Sequence, residues 1–167
     1  AADRKHRFHM AAWINPDRGE LFFAHKVVLV EGETEKAVLP FLAKKLRCFN
    51  PNVTVIDCGS KNNLPLYIET LNAFSIYYCV IHDEDLLPHM NEIIRNVVDP
   101  SLGSVEMLSP DFETVAGICL TPGEKKKGKA LAALDYFEAL SPDKIPERLA
   151  EVVRNAYAVP NGGNAGT

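Results

Sequence analysis

Acidic residues recur in this chain directly after short apolar runs, a placement that suits capture of a hard divalent cation. Glu31 follows Val27-Val28-Leu29-Val30, and Glu35 comes four residues later in Glu31-Gly32-Glu33-Thr34-Glu35. Two carboxylates held so close repel one another, which costs stability unless positive charge lies between them; a divalent ion is the usual answer. The alternative is that Glu33 and Glu35 merely complement the dipole at a helix start, and this stretch alone leaves both readings open. A second group, Asp83-Glu84-Asp85, follows the apolar run 76–82. In extended backbone, residues two apart share a face, so Asp83 and Asp85 point together while Glu84 points away. Asp is also a turn former and a helix cap, so an isolated pair of this kind says little. A third group, Asp111 and Glu113, follows the run 104–108; a helix start capped by Asp111 is compatible there with metal binding. What favours a metal site is that independent acidic clusters fall at equivalent strand ends. His82 adjoins them, but oxygen-rich Mg²⁺ sites need no imidazole, so it is expected to pack.

Convergence requires these three runs to be parallel strands whose carboxyl ends lie side by side. Val27 to Val30 shows no alternation, the pattern of a strand buried on both faces, and in an open α/β sheet ligands bind at the carboxyl edge. Gly32 is expected to turn the backbone, and Thr34 to cap a helix carrying Val38, Leu39, Leu42 and Leu46 on one face, with a kink or opened turn at Pro40. Val53 to Cys58 reads as the second strand. It is followed by a helix with Leu64, Ile68, Leu71 and Phe74 at core spacing, a right-handed crossover. The third strand spans 76–82, a helix with Met90, Ile93, Ile94 and Val97 covers 86–98, and a fourth strand covers 104–108. Leu131, Leu134, Phe137 and Leu140 mark the next helix and 145–159 the last. The expected organisation is an amino-terminal tail with a short helix capped by Asp17 over 1–24, an α/β domain over 25–140, a helix packed on it over 141–159, and a flexible tail over 160–167.

Composition narrows the partners. The 167 residues carry a formal net charge of −4 and are 47% hydrophobic, ordinary for a globular domain and without the basic footprint of electrostatic nucleic-acid binding. Any such contact must be local or metal-assisted. Lys125, Lys126, Lys127 and Lys129 form a basic loop that could draw in a polyanion, although lysine runs are usually just solvated. Lys61 could touch phosphate, with a solvated lysine as the alternative. Cys48, Cys58, Cys79 and Cys119 show neither zinc spacing nor pairing, and read as reduced, mostly buried thiols of a cytoplasmic protein. No run is long enough to span a bilayer. The Ala-Ala start without Met gives the expectation of a piece of something longer.

The segments Leu29-Val-Glu-Gly-Glu-Thr-Glu35, His82-Asp-Glu-Asp85 and Pro110-Asp-Phe-Glu113 resemble the Toprim domain of topoisomerases, primases and certain nucleases. More narrowly, residues 20–46 and Lys129 to Phe137 are similar to the carboxyl-terminal region of the OLD (overcoming lysogenization defect) ATP-dependent nucleases. The resemblance implies a Rossmann-like Toprim fold, an open α/β sheet of about four mainly parallel strands flanked by helices, with additional C-terminal helices. It implies a bacterial or phage-related enzyme that cleaves DNA. Glu31, Glu35, Asp83, Asp85, Glu113 and Asp111 would hold two Mg²⁺ or Mn²⁺ ions about 4 Å apart, one activating water and one stabilising the leaving oxygen. Glu31 could instead act as general acid or base, and Lys129 would stand against the phosphate as a catalytic group. An amino-terminal ABC-type ATPase, and homodimerisation through it, would belong to the full-length protein. This chain has no GxxxxGK[ST] loop, so no nucleotide is expected here. A primase-like or topoisomerase-like domain and a non-catalytic Toprim module are the alternatives. The five tyrosines, Tyr67, Tyr77, Tyr78, Tyr136 and Tyr157, read as core residues rather than as a nucleophile.

Overall fold

The computed structural model describes residues 24–123 and 128–159. The Asp17-capped helix, Lys125 to Lys127 and the tail after Val159 therefore lie outside the described residues. Four strands form one sheet: β1 (Lys26–Val30), β2 (Val53–Asp57), β3 (Tyr77–Asp83) and β4 (Gly103–Leu108). Their order is β2-β1-β3-β4 and every pairing is parallel, so all four carboxyl ends meet at one edge. The connections are α1 (Glu33–Lys45), α2 (Leu64–Phe74) and α3 (Pro88–Val97), with α4 (Phe112–Ala116), α5 (Lys129–Ala139) and α6 (Glu147–Tyr157) after the sheet. Among the described residues no helix is long and apolar enough to cross a membrane.

The unalternating strand sequences have their cause in two separate cores. Val28, Val30, Cys79, Ile81 and Leu108 face Val38, Leu39, Leu42, Phe112, Phe137, Leu149 and Val153. Val27, Leu29, Ile56, Tyr78 and Val80 face Leu64, Ile68, Leu71 and Ile94. Successive side chains of β1 and β3 thus enter opposite cores, and both faces must be apolar. Fully burying one such side chain contributes about 1.5–3 kcal/mol.

Lysines, one buried and one half-buried, tie helix ends to this frame. Lys26 on β1 donates to the carbonyls of Asn155 (2.8 Å) and Ala158 (2.6 Å) at the end of α6, and Lys45 to those of Phe137 and Glu138 at the end of α5. Carbonyls there lack helical partners and carry partial negative charge, so an ammonium satisfies both needs. Gly103 opens β4 because nothing larger fits: a Cβ there would stand 2.1 Å from the Tyr78 ring. That ring is fixed by its hydroxyl, which donates to Asn72 Oδ1 (2.7 Å) and accepts from Asp99 N (2.9 Å).

Several expectations are corrected. Gly32, not Thr34, holds the N-cap position of α1, and its φ of −156° is extended backbone open to any residue, so no special turn is made there. α1 continues through Pro40. Phe74 and Tyr77 are exposed, at helix and strand ends. Leu86 and Leu87 lie outside α3 and are exposed, Leu86 almost fully at 97%. In α5 the buried positions are Ala133 and Phe137, and Leu131 faces solvent. Cys58 and Cys79 are buried as expected, whereas Cys119 is exposed.

Candidate metal centre

The parallel order sets the ends of β1, β3 and β4 side by side. β3 is bonded to both neighbours, and its last residue, Asp83, pairs with Leu108. Glu31 therefore leaves β1 beside the end of β3, and its Oε1 accepts the main-chain N–H of Asp83 at 2.8 Å. Asp83 continues the Cys79–Ile81 face of its strand, and its Oδ1 accepts the N–H of Phe112, the first residue of α4, at 2.8 Å. Glu35 joins from the first turn of α1.

These carboxylates feel one another. Glu35 is pushed up to about 7, first by burial, then by the charges of Glu31, Glu113 and Asp57, against a bond from its own main-chain N–H. Asp83 is also pushed up to about 7, by burial and then by Glu31 and Glu35, with the Phe112 bond opposing. Burial raises Glu31 as well, while the Asp83 N–H and the Lys61 ammonium pull it down. Burial with like charge is the arrangement that disfavours ionised carboxyls until a cation compensates them. Asp57 is an acid that sequence reasoning missed. It ends β2 opposite Val30, with its Oδ1 accepting Gly59 N–H at 2.6 Å. Its place at the end of an apolar run is the same signal that marks Glu31.

Asp85 departs from the predicted geometry. β3 ends at Asp83, and Asp85 sits at φ +48°, so the two do not share a face of one extended strand. Asp tolerates this left-handed region better than most residues. The Asp85 carboxylate lies 3.3 Å from the Lys61 ammonium. Lys61, read from the sequence as a phosphate contact or else a solvated lysine, is not solvated: it is 5% exposed, and its Nζ donates to the main-chain carbonyls of Asp83 and Glu84 as well. His82 packs, 3% exposed, and burial holds its pKa below the usual value. Asp111 caps α4, accepting from Thr114 N–H at 2.7 Å, a bond that lowers its pKa. Glu113, in the first turn of that helix, pairs with Lys129 at 3.2 Å.

Among the described residues no three His, Cys, Asp or Glu side chains stand in a ready-made metal-holding group. Four of the acids are turned instead to a donor of the protein: Glu31 to Asp83 N–H, Asp83 to Phe112 N–H, Asp85 to Lys61, Glu113 to Lys129. In chemistry the set is nonetheless that of a hard cation, all carboxylate oxygen, with two members, Glu35 and Asp83, pushed up to about 7 by burial and then by like charge. A hollow of about 290 Å³ lined in part by Asp111, Glu113 and Thr114 adjoins the acids. Larger cavities, of about 470 Å³ beside α5 and 600 Å³ at the sheet's amino edge, include none of Glu31, Glu35, Asp83, Asp85 or Glu113.

Part of the chain resembles known proteins. Residues 22–85 match the model of the overcoming lysogenization defect protein-like TOPRIM domain, a span holding Glu31, Glu35, Asp83 and Asp85. Over 87 residues the chain is 31% identical to the OLD nuclease of Thermus scotoductus (strain ATCC 700910 / SA-01). That alignment takes in 50% of this chain and 16% of the relative's length.

Proposed function

From the OLD-family Toprim region that these matches support, we propose that the chain is the catalytic part of a divalent-metal-dependent nuclease acting on DNA. The observation that carries this reading is the meeting of acids at one sheet edge, where Glu31 after β1 accepts the N–H of Asp83 at the end of β3 and Glu35 joins from the first turn of α1; Glu35 and Asp83 are both pushed up to about 7. Glu31, Glu35, Asp83, Asp85 and Glu113 would hold Mg²⁺ or Mn²⁺, while Asp111 serves α4 as its cap. Held there, a divalent cation would supply activation of water and stabilisation of a phosphodiester's leaving oxygen.

The chain's own residues supply the rest. Glu31 and Asp83 are kept in register by main-chain N–H groups rather than by mobile side chains, so their free oxygens have defined positions. Lys129, the first residue of α5, carries a cation 3.2 Å from Glu113 and would meet a phosphate that displaces that pair. A metal-masked acidic edge removes the need for a basic footprint, which this chain of net charge −4 lacks. The amino-terminal ATPase of the full-length protein, and dimerisation through it, belong to the same proposal.

A strand-passing tyrosine is not favoured, since Tyr67, Tyr78 and Tyr157 are buried and Tyr77 begins β3, at the edge opposite the acids. Plasmid DNA incubated with the chain in Mg²⁺, in Mn²⁺ and in EDTA tests the function. Metal-dependent nicking or linearisation, absent in EDTA and in Asp83→Asn, is expected. Cleavage insensitive to EDTA, or none with either metal, would overturn it.

A further inference from the structure

Lysine is seldom fully buried unless paired, because stripping water from an ammonium costs several kcal/mol. Lys61 is buried all the same, on the short 3₁₀ turn Lys61–Asn63 after β2, and its three acceptors belong to three consecutive residues: Asp83 O, Glu84 O and Asp85 Oδ2. The turn after β3 is held from other sides too. Glu84 N–H donates to Leu108 O (2.7 Å), Asp85 N–H to Pro110 O (3.2 Å), and Asn91 Nδ2 to Glu84 O (2.8 Å). Those bonds act on the main chain of Glu84 and Asp85. Lys61 alone among these contacts reaches the Asp85 carboxylate, at a residue kept in the left-handed region.

We propose that Lys61 is a positioning residue for the cation site, shaping the turn Asp83-Glu84-Asp85 so that the Asp85 carboxylate is presented beside Asp83. This inference rests on the metal reading above. Its sign separates it from a pure charge effect. An ammonium next to a cation site repels the cation, so if charge were all that mattered, removing Lys61 would tighten metal binding. If Lys61 acts by holding the turn, removing it weakens binding, because the Asp83 and Glu84 carbonyls each lose one donor and the Asp85 carboxylate loses its partner. Supports of this kind typically change metal affinity by about 10–100-fold.

The test is titration of the full chain with Mn²⁺, following the free ion by electron paramagnetic resonance, for the parent, Lys61→Met and Lys61→Gln. Circular dichroism checks the fold. Lys61→Met is expected to bind Mn²⁺ at least about tenfold more weakly, and Lys61→Gln, which keeps a donor without the charge, to fall between. Should Lys61→Met fail to fold, Lys61→Gln against the parent carries the same comparison. Unchanged or tighter binding in folded variants overturns the positioning role and leaves the metal reading standing. A parent chain that binds no Mn²⁺ overturns the metal reading and this inference with it.

Discussion

Glu31 at the end of β1 accepts the main-chain N–H of Asp83 at the end of β3, so the acid of one strand fixes the backbone that carries the acid of the next. The contact gives Glu31 two separable roles, a charge and a hydrogen-bond acceptor. Glu31→Gln keeps an acceptor and removes the charge. We expect cleavage to fall about a hundredfold or more, with the metal-free melting temperature unchanged or higher, since a like charge leaves an acidic group. Glu31→Ala removes the acceptor too. An unpaired, partly buried N–H costs about 1–3 kcal/mol, so this variant should melt several degrees lower. Thermal melts without metal, beside cleavage assays, check both; a fully active Glu31→Gln would show the acid to be structural.

The raised carboxyls predict how the metal-free protein responds to pH. In the folded chain Glu35 and Asp83 keep their protons up to about 7, whereas in the unfolded chain they lose them near 4. Between those values the folded state binds more protons, so stability falls as pH rises from about 4 to about 7, and the full cost is present above 7. Melting temperatures at pH 5 and pH 8 in EDTA should therefore differ, with pH 5 the higher. Glu35→Gln should shrink the difference, and added Mn²⁺ should shrink it by stabilising the charged forms at pH 8. A metal-free protein more stable at pH 8 than at pH 5 would contradict the electrostatic account of the cluster.

How much of this was legible in the sequence follows from which interactions are local. The four strands could be read because each is an apolar run, and a strand buried on both faces has no other composition available. Glu31, Asp83 and Glu113 could be read because a strand end is visible as the point where such a run stops. What could not be read depends on tertiary partners. Lys61 resembles any loop lysine until the turn after β3 is brought over it. Asp85 looked extended because two-residue spacing assumes the strand continues, and it stops at Asp83. On α5 the pattern Leu131, Leu134, Phe137 hid Ala133, a small side chain that admits close approach where a leucine had been expected to pack.

The last prediction concerns Lys129. Its ion pair with Glu113 joins two partly exposed side chains, at 55% and 35%, and such pairs contribute under about 1 kcal/mol. Losing it should leave the fold's stability nearly unchanged, so a large functional effect could not be blamed on unfolding. Leu131 does not anchor the lysine's neighbourhood, but Ala133 and Phe137 do, and they fix the helix whose first residue is Lys129. An ammonium on a fixed helix end can be held where charge builds on the phosphate, and removing one such group costs about a hundredfold in rate. Diffuse attraction from lysines in a run would instead weaken binding slightly and in a salt-dependent way. We therefore expect Lys129→Ala to lose about a hundredfold in single-turnover cleavage with little change in DNA affinity, and Lys126→Ala to weaken DNA binding slightly, in a salt-dependent way, with little change in the cleavage step. Measuring both quantities for both variants at two salt concentrations decides the matter. Equal, mild, salt-sensitive defects would mean that Lys129 contributes charge to the run and nothing specific to the reaction.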